Sequence, residues 1–425
     1  MNVNQLMVHF WFCPSSAHSI PSSSKRARRK PEPRAPITWC ARVQEGKKTR
    51  RQCFLRGVRG EKRSRAPARS ELLLLLSDWS KVLRWGEERT RRRALTARAT
   101  GSARCPGVTA VPGQVHTEDP DSQRSECKLS VWDSDEPVPR AELLKQVEGA
   151  HGLLCLLSDR IDAEVLDAAG PNLKVISTMS VGFDHLAIDE IKKRGIRVGY
   201  TPDVLTDATA ELTVALLLAT ARRLPEGIQE VKSGGWSSWK PLWLCGYGLS
   251  GSTVGVIGLG RIGLAIARRL KPFGVKRLLY SGRQPKPQAG EVEGEHVPLD
   301  ALLCESDFVV VSCSLTPDTQ GLCNKDFFSK MKNTAVFINT SRGAVVNQED
   351  LLEALASGQI AAAGLDVTTP EPLPTDHPLL RLSNCVVLPH IGSATISTRG
   401  VMAELTAQNL LCGLTGDAMP SELQL

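Results

Sequence analysis

The sequence predicts an α/β protein made of two doubly wound parallel sheets, and three observations carry that expectation. From about Leu129 onward, short β-branched or apolar runs alternate with helical patterns. The spacing between the runs leaves room for a helical crossover each time, as parallel neighbours require. One run is followed at once by a glycine-rich turn, Gly258-Leu259-Gly260-Arg261-Ile262-Gly263, that opens a helix.

In the first series the predicted strands are Ser130–Trp132, Gly152–Leu157, Val175–Thr178 and Arg197–Gly199. A long helix is expected over Asp207–Val231, with Thr206, Asp207 and Glu211 placed to suit the positive helix N-terminus. A Trp-rich loop, Gly235–Gly248, precedes the second series. Its strands are predicted at Thr253–Ile257, Arg277–Ser281, Phe308–Ser312, Ala335–Asn339, Ala361–Leu365 and Cys385–Leu388. The expected organisation is a smaller substrate domain, 128–204 completed by 393–425, and a dinucleotide domain, 205–392.

The chain has 425 residues, of which 41% are hydrophobic, enough for two to three domains. Its net charge of +8 conceals two different polymers. Residues 1–127 hold 26 Lys+Arg against 11 Asp+Glu, whereas 128–425 hold 27 against 34. The basic segment, with clusters such as Arg91-Arg92-Arg93 and no sustained periodicity, reads as a mostly disordered extension. Nucleic-acid binding is disfavoured because no aromatic interleaving or known module accompanies the charge. A signal peptide is disfavoured because His9 interrupts the apolar stretch Leu6–Cys13, and a transit peptide by excessive length. No stretch approaches the roughly 18 apolar residues of a membrane helix. The 12 cysteines form no CxxC pair, so neither a metal site nor a disulfide framework is expected, and reduced thiols in the cytoplasm are.

The glycine-rich turn is a dinucleotide signature of the Rossmann type. Gly258 permits the tight turn, Gly260 lets a pyrophosphate approach the backbone, and Gly263 allows close helix packing. Arg283 stands 20 residues after Gly263, where an NAD site has an acidic residue for the ribose 2′-hydroxyl. A cation there suits a 2′-phosphate, with Lys286 adding charge, so NADPH is expected in preference to NADH.

Three later segments end strands on the side where open α/β sheets bind ligands: Asn339-Thr340-Ser341-Arg342-Gly343, Asp366 through Pro372, and Leu388 through Ser393. Reducing a carbonyl needs a proton for the developing alkoxide, which suits His390 as general acid. Glu371 would orient that imidazole and favour its protonated form, while Arg342 would bind a substrate carboxylate and polarise the adjacent carbonyl.

With NTSRG, DVTTPEP and LPHIGSAT, the chain from about residue 129 to 425 resembles the D-2-hydroxyacid dehydrogenase family. The resemblance implies reduction of small 2-oxo acids, glyoxylate and hydroxypyruvate, with Arg342, Glu371 and His390 as the catalytic set. It also implies that the backbone at Val181 and Gly182, in STMSVGFDHL, meets the substrate carboxylate, that Ser393 closes the pocket, and that Asp366 faces the nicotinamide. The cofactor set is completed by Arg261, Ile262, Gln284, Ser314 and Thr340. In GGWSSWKPLWLCGYGL, Trp239 is expected to reach the active site of the second subunit of a homodimer. Two alternatives share the fold: a dinucleotide-sensing transcriptional corepressor, and an inactive isoform.

One departure from the family is expected to matter. The opening strand and helix are missing, and the basic segment stands in their place. In a flavodoxin-like order of 2-1-3-4-5 that strand is central, so its loss exposes backbone groups on two neighbours. Met7 is followed by no Met before Met179, so an internal start does not restore the unit, and the segment reads as an alternative 5′ end. Glu71–Trp79 offers an apolar substitute, but leucines favour helix over strand. Fast amide exchange is therefore expected across Gly152–Leu157 and Val175–Thr178.

Overall fold

The computed structural model describes residues 130–132 and 136–425. The basic segment 1–127 and the apolar stretch around Leu72 lie outside these residues. The first series contains α1 (Arg140–Gln146), β1 (Gly152–Cys155), α2 (Ala163–Ala169), β2 (Val175–Thr178), α3 (Ile188–Lys193) and β3 (Arg197–Gly199). Helices α4 (Thr206–Ala221) and α5 (Leu224–Ser233) lead to β4 (Thr253–Ile257), α6 (Arg261–Leu270), β5 (Arg277–Ser281) and β6 (Gly294–His296). The chain continues through α7 (Leu299–Glu305), β7 (Phe308–Val311), α8 (Lys325–Ser329), β8 (Val336–Asn339), α9 (Gln348–Ala356), β9 (Ala362–Leu365), β10 (Cys385–Val387) and α10 (Ile396–Thr415).

All strand pairs are parallel, in a seven-stranded sheet of order β10-β9-β8-β7-β4-β5-β6 and a three-stranded sheet β1-β2-β3. Alternate side chains of the large sheet enter two cores. Val254, Val256, Phe308 and Val310 pack with Leu217 of α4 and Ile266 of α6, whereas Val309, Val311 and Phe337 pack with Leu302, Phe328 and Leu351 of α7, α8 and α9. Both faces are thus apolar, which is why these strands read as unbroken hydrophobic runs. The small sheet repeats the arrangement: Leu153 and Ile176 meet α1, α2 and α3, while Leu154 and Val175 meet Leu410 of the C-terminal α10. The Ser177 hydroxyl also donates to the Thr406 carbonyl at 2.8 Å, and Arg197 forks onto Glu422 at 2.7 and 2.8 Å.

Four details differ from the sequence-based expectation. Ser130–Trp132 joins no ladder; its Trp132 indole N–H donates locally to the Glu136 carbonyl at 2.9 Å, and Val131 is exposed. The expected single helix over Asp207–Val231 is two, because Pro225 has no N–H for the Ala221 carbonyl and its ring would collide with it. Arg223 turns the chain in a left-handed conformation (φ 53°), and the freed Ala221 carbonyl accepts from Tyr247 N–H at 2.9 Å. Gly246 must be glycine for that closure, since a Cβ there would stand 2.0 Å from the same oxygen. The large sheet gains β6 at its edge, a Gly-Glu-His strand without β-branched residues to announce it. Finally, β2 is paired on both sides, so among the described residues the exposed-edge argument falls on β1 alone.

Hydrogen exchange measured by mass spectrometry should find β1 exchanging faster than β4, which is flanked by β5 and β7. Equal protection of the two strands would show that the outer edge of β1 is covered.

Candidate functional site

Parallel pairing brings the carboxyl ends of β4, β5, β7, β8, β9 and β10 to one edge of the large sheet. The chain reverses direction of travel between β4 and β7, which opens a crevice there. Gly258 leaves β4 with φ 92°, and a Cβ on it would lie 2.8 Å from the Cys313 backbone. Gly260 caps α6 and faces open space, while a Cβ on Gly263 would lie 2.3 Å from the Gly258 carbonyl oxygen. The three glycines therefore meet three separate demands: a turn, an unobstructed approach to the free N–H groups of α6, and helix packing. The residues fit a dinucleotide phosphate.

Arg283 and Gln284 follow β5 and are exposed, and among the described residues no carboxylate pairs with Arg283. Lys286 is anchored by its backbone N–H, which donates to the Tyr280 hydroxyl at 2.8 Å. Arg261 pairs with Asp203 at 3.0 Å, and Ile262 packs against the core under α6. Ser314 sits in the turn after β7, its carbonyl accepting from the Thr319 hydroxyl at 2.7 Å. Thr340, after β8, shares a hydrogen bond of 2.8 Å with Thr213 of α4.

The His390 ring meets Glu371 through Nδ1 and Oε2 at 2.8 Å. Glu371 Oε1 accepts from Thr368 N–H at 3.0 Å, so both carboxylate oxygens are engaged. Burial pushes the Glu371 carboxyl up, but the hydrogen bond and charge of His390, with Arg342 beyond, outweigh it and hold the group below its ordinary range. His390 itself adopts φ 54°, a left-handed conformation that costs a non-glycine residue about 1–3 kcal/mol. Asp366 holds it there: the carbonyl accepts His390 N–H at 2.8 Å, and the two carboxylate oxygens accept Ile391 and Gly392 N–H, each at 2.8 Å. Burial raises the Asp366 carboxyl despite those bonds. Asp366 therefore braces the His390 turn from below, a task the sequence did not reveal.

Arg342 leaves β8 and points across to the smaller sheet. Its Nε donates to Asp184 Oδ1 at 2.8 Å and its Nη1 to the Ser341 carbonyl at 2.9 Å. The guanidinium lies against Gly182, where a Cβ would stand 1.5 Å from Nη2. Gly182 and Arg342 are therefore neighbours only because residue 182 has no side chain. The amides of Val181 and Gly182 have no protein acceptor among the described residues. Burial raises the Asp184 carboxyl, and the charge and hydrogen bond of Arg342 more than reverse this.

Arg342 thus stands against Gly182 and acts by its charge on Glu371, which holds His390; Ser393 is placed only by the chain, three residues after His390. Trp239 does not join them: it is 82% exposed in the loop after α5, as is Trp236 at 62%. Sequence reasoning missed Asp184, Asn339 and Gln348. Asn339 clasps the Arg342 turn by accepting from Ser341 N–H at 3.0 Å and donating to the Arg342 carbonyl at 2.9 Å. Gln348 brackets Thr369 on the Glu371 loop, accepting its N–H at 2.7 Å. A long side chain one residue after the helix-capping Asn347 carries no sequence signal of that role. Among the described residues no cluster of metal-ligating side chains occurs, and no helix is long and apolar enough to cross a membrane.

Comparison with known proteins places these features in context. The D-isomer specific 2-hydroxyacid dehydrogenase NAD-binding domain matches residues 214–392. Glyoxylate reductase/hydroxypyruvate reductase of Mus musculus is 73% identical over 305 residues, 72% of this chain and 93% of that protein. The Homo sapiens protein of the same name is 72% identical over the same shares. Among solved structures, a Thermus thermophilus protein has TM-score 0.66 and 48% identity, covering 70% of this chain and 93% of its own. An NADPH-dependent glyoxylate/hydroxypyruvate reductase from Sinorhizobium meliloti, in complex with NADP and malonate, has TM-score 0.60 and 35% identity, covering 64% of this chain and 84% of its own. Identity of this extent over most of the chain, together with the domain match, shows that the chain is an oxidoreductase of the D-2-hydroxyacid dehydrogenase family.

Proposed function

We propose that the protein reduces glyoxylate to glycolate and hydroxypyruvate to D-glycerate, with NADPH as the preferred cofactor and NADH as a weaker one. The observation that carries this reading is the His390–Glu371 pair facing Arg342 at the strand ends of a dinucleotide-binding sheet. The names of the mouse, human and Sinorhizobium relatives support the substrate class. When bound, the nicotinamide supplies a hydride to the carbonyl carbon of the 2-oxo acid.

Residues 205–392 would hold the dinucleotide, and 136–204 with 393–425 would complete the substrate side. The glycine turn with Arg261, Ile262, Ser314 and Thr340 lines the dinucleotide crevice, and Asp366 stands at its inner end. Arg342 and the free amides of Val181 and Gly182 converge on the carboxylate of the 2-oxo acid. That carboxylate and its neighbouring carbonyl are thereby presented in one orientation. Glu371 stays ionised, accepts from His390 Nδ1–H, and leaves Nε2 as the nitrogen that delivers a proton to the developing alkoxide. Ser393, three residues after the histidine, closes the pocket wall.

A homodimer completes this reading. Helix α5 buries none of its residues, and Leu224, Ile228 and Val231 form one apolar face, each at least half exposed. Trp236, Trp239 and Leu242 extend that face with 62, 82 and 86% exposure. A second copy covering it would remove a contiguous apolar surface from water and carry Trp239 toward the neighbouring site. A cytoplasmic setting is supported by the cysteines, which are all free thiols among the described residues.

His390→Ala should lower kcat for glyoxylate by about 100-fold or more while NADPH binding, followed by fluorescence titration, persists. An unchanged kcat would remove His390 from the proton-delivery step. In Arg283→Asp, the KM for NADPH should rise far more than that for NADH, because attraction to the 2′-phosphate becomes repulsion. Equal losses would mean that Arg283 does not read the ribose. Ile228→Asp should shift the sedimentation profile from dimer to monomer, and a monomeric wild-type protein would remove the reason for placing Trp239 at a neighbouring site.

A further inference from the structure

Beneath the Val181–Gly182 amides lies a chain of side chains that the reaction just described does not use. His185 Nε2 is 2.9 Å from the Thr178 hydroxyl, that hydroxyl is 2.8 Å from the Ser180 hydroxyl, and Ser180 Oγ lies 2.6 Å from the Gly182 carbonyl oxygen. Thr178 and Ser180 are buried. The direction of every bond follows from proton counting. A carbonyl only accepts, so Ser180 spends its single hydroxyl proton on Gly182. Thr178 must then donate to Ser180, and with its own proton spent it must accept from His185. The imidazole is therefore the Nε2–H tautomer, with a bare lone pair on Nδ1. Two independent features agree with this. Nδ1 is buried and has no partner, so the ring's single proton belongs on Nε2, the nitrogen that has an acceptor. Burial, reinforced by the Arg342 charge against that of Asp184, pushes His185 down to about 4, so it is neutral near pH 7.

We infer that His185, Thr178 and Ser180 form a one-way hydrogen-bond relay that fixes the Gly182 carbonyl, and with it the 182–183 peptide plane, so that the Val181–Gly182 loop is held rigid and presents its amides to the substrate carboxylate. His185 is a positioning residue in this scheme, and the inference rests on the carboxylate-binding assignment proposed above. The adjacent Asp184 clamps Arg342 from the same short segment at 2.8 Å. One dipeptide thereby acts on both halves of the carboxylate cradle, on the loop backbone through His185 and on the guanidinium through Asp184. The peptide that carries the Val181 N–H is held by its own carbonyl, since Ser180 C=O accepts from Thr201 N–H at 2.8 Å, so the Val181–Gly182 peptide with the Gly182 N–H is bracketed by two fixed planes. Reversing the Ser180 hydroxyl would leave the Gly182 carbonyl without its donor and free the 182–183 peptide, and reversing Thr178 would take away the donor that holds Ser180 in that orientation.

The test is a split between substrate and cofactor parameters in the full-length protein. Thr178→Val keeps the shape and removes the hydroxyl; it should raise KM for glyoxylate about tenfold, the weight of one buried hydrogen bond, with the Kd for NADPH unchanged. Ser180→Ala should do the same. Thr178→Ser restores the hydroxyl and should return KM to within about twofold of the wild-type value. A Thr178→Val enzyme with normal KM and only a lower Tm would overturn the relay. Arg342→Ala separates the two levels of argument: if it raises KM while Thr178→Val does not, the relay alone falls. If neither variant changes KM, the carboxylate assignment falls with it. Long-range nitrogen–proton NMR of histidine-labelled wild-type protein, with His185→Gln for assignment, gives an arm that depends on no variant's folding. Protonated Nε2 at His185 supports the relay, and protonated Nδ1 overturns it.

Discussion

Parallel pairing of β4 with both β5 and β7 is the constraint on which the rest of the structure depends. Parallel strands need crossovers, the crossovers are helices, and helices on both faces bury both sides of the sheet. Every strand then delivers its carboxyl end to the same edge. The glycine turn, the Arg283 turn, Thr340, Arg342, Asp366 and His390 share that edge for no other reason. Residues separated by more than a hundred positions are brought to one edge because each lies within a few residues of a strand's end.

The electrostatics of that edge are settled locally, group by group. Asp366 is buried and its carboxyl is raised, yet it receives two backbone N–H groups and supports the His390 turn. Glu371 is less buried, faces His390 and Arg342, and is held low. The two carboxylates therefore divide the work: one is structural, the other a charged partner for imidazole. Environment, not residue type, separates them, because burial without a cation raises an acid whereas a facing cation lowers it. The same reasoning applies to Asp184, where Arg342 overcomes the burial penalty.

Most of the large sheet was legible in the sequence because strands buried on both faces read as continuous apolar runs, and Phe308–Val311 or Val336–Asn339 has few other interpretations. The glycine turn was legible because each glycine has its own steric reason. What escaped did so for physical causes. The break after Ala221 was hidden because Leu224, Ile228 and Val231 continue a helical apolar stripe, and Pro225 is acceptable in a first turn. Strand β6 was hidden by its composition. Ser130–Trp132 looked like a strand by residue type, but a strand exists only where a ladder accepts it. Asp184 and Arg342 are 158 positions apart, so their ion pair belongs to the tertiary fold and has no local signature. Val181, Gly182 and Trp239 were expected from family resemblance alone, since periodicity does not reach them; the structure sets Gly182 against Arg342 and leaves Trp239 exposed in the loop after α5.

Under the carboxylate-binding role proposed for Arg342, its pairing with Asp184 means that a substrate anion would not have to break a protein contact to enter. Arginine carries five N–H donors in a rigid fork. Asp184 takes the one on Nε and the Ser341 carbonyl takes one on Nη1, which leaves both protons of Nη2 and one of Nη1. Of these, Nη2 lies beside Gly182, whose amide has no protein acceptor among the described residues. Asp184 thus orients the guanidinium through Nε and leaves the Nη2 donors for the carboxylate of the proposed reading, and it offsets part of the charge. A lysine would offer Asp184 and the substrate the same three protons, so orientation and binding would compete. Arginine at 342 and glycine at 182 are consequently one requirement: the flat fork can lie against the loop only where no side chain rises to meet it.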